Sequence, residues 1–173
     1  WVVMFAPLGV VFYLSARLHK MSANTARTTF FTYSGIMGFS LSYILLVFTQ
    51  ESIVTTFLVT SASFGALSLY GYTTKKDLSG MRSFLFMGLI GIILASIVNI
   101  FMASAAMHFA ISVIGVLLFA ALTAYDTQAI KQMYYAGDTR ETAEKKAVLG
   151  ALRLYLDFVN MFLFLLQFLG NRE

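Results

Sequence analysis

The run FLFMGLIGIILASIV at residues 84–98 carries no charge and shows no alternation of polar and apolar positions. It lies within a longer apolar segment, 83–103, and five similar segments can be drawn: 1–16, 28–49, 53–74, 105–130 and 151–170. A span needs about 20 apolar residues at ~1.5 Å rise to cross roughly 30 Å of hydrocarbon. All but the first segment reach that length. Backbone groups in lipid must be satisfied within the segment, and a barrel strand would alternate, so these segments read as helices. The expected fold is all-α: a polytopic transmembrane bundle of six helices forming a single transmembrane domain over 1–173. The chain opens on Trp1 rather than methionine, and the first segment is short. Both features lead us to expect a truncated start.

Composition fits. Hydrophobic residues make up 59% of the chain and charged residues 12%, against about a quarter charged in a soluble domain. The absence of cysteine excludes disulfides and thiolate-ligated metal centres. The net charge of +4 is no nucleic-acid signal, because the basic residues sit in short links between apolar runs. The first link holds Arg17, Lys20 and Arg27, the third Lys75, Lys76 and Arg82, and the fifth Lys131, Arg140, Lys145 and Lys146. The second (TQES, 49–52) and the fourth (around Ser104) hold none. By the positive-inside rule, links one, three and five are cytoplasmic. Compact loops favour a bacterial inner membrane. Ser34, Gly35 and Gly38, then Ser61 and Gly65, then Gly88 and Gly91 read as packing seams, where small residues let helices approach. The fifth link is the one extended polar loop, expected to be helical in part at RETAEKKAV.

Two acids lie inside the spans, Asp126 and Asp157. A carboxylate at mid-membrane costs at least ~2.5–3.5 kcal/mol, so such residues are usually paired or functional. Asp126 lies about 21 residues from the outer entry of its helix and roughly 8 Å in from Lys131; Asp157 lies roughly 12 Å in from Leu149. The two therefore sit at similar depth near the cytoplasmic face. If their helices are neighbours the acids meet, and two carboxyls in hydrogen-bond range resist joint ionisation and share a proton. Arg153, Asp157 and Asn160 fall on one helix face, so Arg153 is an alternative partner for Asp157. Blander readings place Asp126 at a helix end beside an interfacial Tyr125, and Asp157 in a structural ion pair. His108 reads as interfacial and Glu51 as a solvated loop acid.

AYDTQAIK at 124–131 and ALRLYLDFVNMFLFLLQFLG at 151–170, with TYSG at 32–35 and KKDLS at 75–79, resemble the Bax-inhibitor family of membrane proteins, also called the TMBIM or lifeguard family. That family has seven membrane helices, so the resemblance implies that the first is missing here. It implies a pH-sensitive calcium leak channel, with Asp126 and Asp157 matching the proton-sensing aspartate pair. It also implies an arginine latch on the first acid. Arg17 is the best match, and Arg27 is the fallback. On this reading the protein is not an enzyme and has no cofactor. Calcium is the permeant ion, with Asp157 a weak calcium-site candidate aided by Asn160 and backbone carbonyls. Lipid, calcium and protons are the expected partners, and no nucleic acid is. Two rivals stand beside it. One is a regulator of a quality-control membrane protease, in keeping with the association of bacterial relatives with such proteases. The other is an intramembrane aspartyl protease, which needs two acids but shows a Gly-x-Gly-Asp stretch where this chain has LYLD.

Overall fold

The computed structural model describes Tyr13, Ala16, Arg17 and residues 20–172. Its elements are α1 (Ala23–Ser40), a 3-10 turn (Leu41–Tyr43), the short α2 (Ile44–Val47), α3 (Gln50–Thr73), a second 3-10 turn (Ser79–Met81), α4 (Arg82–Met102), α5 (Ala105–Met133) and α6 (Arg140–Leu169). Among the described residues five helical stretches are long and apolar enough to span a membrane, α1 and α2 counting together as one. The sequence reading expected six. Its first segment, 1–16, lies outside the described residues apart from Tyr13 and Ala16.

Helix starts are fixed by hydroxyl caps. The side chains of Ser22, Thr49, Ser104 and Thr139 each accept the backbone N–H three residues on, satisfying one of the donors a helix N-terminus leaves free. α4 ends where Ala103 turns into the left-handed region, φ 48°, allowing α5 to begin two residues later. The fifth link is more helical than expected. Lys131–Met133 close α5 and Arg140 opens α6, leaving 134–139 as the connection. The Arg140–Glu144 and Glu141–Lys145 pairs, four residues apart, support the added turns.

α5 is the central helix, packing against α3, α4 and α6, while α1 lies on α6. Lipid supplies little hydrophobic drive between helices, so close packing carries the association. Leu85, Ile92, Ile111 and Leu118 join α4 to α5. Phe119, Met161 and Leu165 join α5 to α6, with the Phe119 and Phe164 rings stacked at 5.8 Å. Of the glycines read as packing seams, only Gly88 meets a neighbour. A Cβ there would lie 2.9 Å from Leu118, whereas one at Gly35, Gly38, Gly65 or Gly91 would meet no described atom within 4 Å. Tighter approaches between helices are at Gly71, against the Ala124 carbonyl, and at Gly115, against the Phe164 ring. The outward faces are apolar: Phe101 is 85% exposed and Leu46 82%. Exposed apolar surface on this scale fits lipid contact.

Candidate functional site

α5 and α6 are neighbours along their length, so the two acids that the sequence places at similar depth meet. The Asp126 and Asp157 carboxyls lie within hydrogen-bonding reach of each other. Asp157 is 4% exposed, and its Oδ2 is buried with no hydrogen-bond partner among the protein's described atoms. Such a group is rare in a folded protein and calls for a physical explanation. The Asp126 side chain is 14% exposed.

Arg153 supplies the positive charge. Its Nη1 lies 3.9 Å from Asp126 Oδ1. It sits one turn before Asp157 on α6, so a single helix presents both the second acid and the cation that faces the first. Arg17 lies elsewhere: its guanidinium stands over the Tyr13 ring at 5.7 Å. Arg27, the fallback latch, faces Glu144 at 3.6 Å. The structure therefore sets Arg153, and neither of the expected arginines, beside Asp126. Asn160 shares the α6 face, but its amide donates to the Leu156 carbonyl at 2.8 Å and is engaged with its own helix. The hydroxyls of Thr123 and Thr127, flanking Asp126 on α5, likewise donate to carbonyls one turn back. These three polar neighbours are thus satisfied within their own helices, and among the described residues Arg153 is the cation that pairs with the acids. Among the described residues no group of three or more His, Cys, Asp or Glu could hold a metal ion.

Sequence reasoning missed Gln128. Its Oε1 accepts from Leu78 N–H at 2.8 Å and its Nε2 donates to the Lys76 carbonyl at 2.8 Å. The side chain thereby bolts the α3–α4 link onto α5, half a turn beyond Asp126. A lone glutamine near a helix end gives no sequence signal for a contact across fifty residues. Lys146 does more than mark topology. It binds Asp138 at 2.6 Å and the Met133 carbonyl at 3.1 Å, closing the α5–α6 connection.

A bundle of apolar helices burying a carboxyl pair near one membrane face defines a polytopic integral membrane protein with an intramembrane acid site. The family model described as "Inhibitor of apoptosis-promoting Bax1" matches residues 1–173, and the chain belongs to the Bax-inhibitor family. It is 52% identical to the inner membrane protein YbhL of Escherichia coli K12, over 99% of this chain and 74% of that protein. It is 49% identical to a protein of Rickettsia prowazekii, over 99% of this chain and 73% of that one. With a membrane protein of Streptococcus pyogenes serotype M1 it shares 38% identity, over 95% of this chain and 71% of that protein. The chain is a multi-pass protein of the bacterial inner membrane; the positive-inside rule predicts that its basic links face the cytoplasm.

Proposed function

We propose that the chain provides a pH-sensitive leak path for cations, calcium foremost, gated by the Asp126–Asp157 pair, and that it is not an enzyme. One observation carries the reading: the two acids within the spans meet at the α5–α6 contact, with Arg153 alongside. While the pair carries negative charge, Arg153 is attracted to it and holds α6 against α5 near the cytoplasmic end. Full protonation removes that attraction, and a local charge change of this kind biases a two-state helix arrangement. On this reading Arg153 takes the latch role that the family resemblance implies for Arg17. Calcium takes about six to eight oxygen ligands, more than two carboxyls supply. The ion is therefore cargo passing the acids, with backbone carbonyls and water completing its shell.

The test is cation flux into liposomes, measured against pH, for the wild type and for Asp126→Asn and Asp157→Asn. The wild type should show flux that changes with pH, and each variant a flattened profile. Flux that is indifferent to both substitutions removes the proposal. Cleavage of a model transmembrane peptide, abolished in both variants, would put an intramembrane protease in its place. A membrane protease that co-purifies while flux is unchanged would favour the regulatory reading.

A further inference from the structure

A cleft of about 300 Å³ opens where the α3–α4 link crosses the inner end of α5. It is lined by Gly71, Tyr72, Lys75, Lys76, Gln128 and Lys131, and by Asp77 as well. Three lysines against one aspartate leave an excess of two positive charges. We propose that this cleft binds a phosphate group presented in the cytoplasmic headgroup layer, that of an anionic glycerophospholipid.

The cleft is built before any ligand arrives. Lys131 Nζ donates to the Tyr72 carbonyl at 2.8 Å and stands 4.6 Å over the Tyr72 ring, so its ammonium is fixed in place with donors to spare. Gln128 holds the link by the Lys76 carbonyl and the Leu78 N–H. Lys75 and Lys76 are therefore exposed on a tethered segment rather than on a free loop. Gly71 allows the approach, since any side chain there would strike the Ala124 carbonyl. The Asp77 carboxylate is engaged by Ser79 N–H at 2.9 Å, which limits its opposition to an incoming anion. Lysine is a compact point charge suited to phosphate, and a basic pocket between helices on the cytoplasmic side is a headgroup site by its chemistry. The volume lies at the small end of ligand sites. It suits a headgroup whose acyl chains lie along the apolar outer faces of α3 and α4, where Leu69, Tyr72 and Phe84 are exposed.

The test is native mass spectrometry of the purified full chain in detergent, titrated with dioleoylphosphatidylglycerol, dioleoylphosphatidylcholine and inorganic phosphate in turn. Phosphatidylglycerol should bind saturably and phosphatidylcholine should not. Substituting Lys75, Lys76 and Lys131 together by Gln should weaken phosphatidylglycerol binding about tenfold or more. The charge-matched K20Q/R140Q/K145Q variant should keep its affinity. If the triple variant does not fold, the exposed pair K75Q/K76Q is read in the same way. Phosphatidylglycerol binding that resists millimolar inorganic phosphate assigns the site to a lipid; displacement by phosphate assigns the same cleft to a soluble phosphate. Equal loss in the charge-matched variant, or phosphatidylcholine binding as tight as phosphatidylglycerol, overturns the proposal.

Discussion

At the residue scale the arginines separate cleanly. Arg153 faces Asp126 at 3.9 Å, whereas Arg17 lies over Tyr13. Replacing Arg153 by Gln should therefore shift the pH at which liposome flux changes, because the charge that favours an ionised pair is gone. Arg17→Gln should leave that pH where it is. A reversed result would return the latch to Arg17. Asp77, outside the membrane, gives a second pH prediction. The Ser79 hydroxyl, and then its backbone N–H, hold the Asp77 carboxyl below the ordinary carboxylate range. A folded value below the unfolded one means stabilisation that is present above the unfolded value and lost as pH falls through the folded one. Thermal unfolding midpoints of the wild type and Asp77→Ala should therefore differ at neutral pH and converge below about pH 4.

At the scale of elements, glycine type alone decides nothing and position decides the sign. Gly71 and Gly65 both lie within α3, yet a Cβ at Gly71 would overlap the Ala124 carbonyl of α5 and one at Gly65 would meet nothing within 4 Å. Gly71→Ala forces α3 and α5 apart, since a backbone carbonyl cannot swing aside as a side-chain tip can. The expected cost is about 1–3 kcal/mol, read as a lower unfolding midpoint in detergent. Gly65→Ala should instead be neutral, or stabilise by up to about 1 kcal/mol, because alanine is the better helix former. Equal effects at the two positions would show that the α3–α5 contact does not limit stability. These two glycines also show what patterning misses. Small residues on a helix advertise a seam, but whether a neighbour lies across it depends on how the helices are arranged. For Gly65 and Gly91 no described neighbour does, and the seam at Gly71 and Gly115 went unread.

At the scale of the whole molecule, links with Lys and Arg alternate with links that have none, and the positive-inside rule predicts the topology from that alternation. The sequence contains no cysteine, so single cysteines report accessibility without background. Ser104→Cys, between α4 and α5, should react with an impermeant maleimide added to spheroplasts. Lys75→Cys should react only after the membrane is opened. Labelling of both from the same side would overturn the orientation, and with it the placing of the acid pair and the lysine cleft at the cytoplasmic face.

Membrane residence, helicity and the depth of the two acids are legible in the amino-acid order, because they follow from local quantities. A segment's hydropathy, its length at fixed rise per residue and the charge of its flanks do not depend on which helix lies beside it. The hydroxyl caps are local for the same reason. Which helices touch is not local. Only the tertiary structure put α5 against α6 so that Asp126 and Asp157 meet, set Arg153 at 3.9 Å from Asp126, and used Gln128 to hold a link fifty residues away. Those outcomes turn on side-chain complementarity between distant segments, and charge or hydropathy along a single segment carries no record of its neighbour.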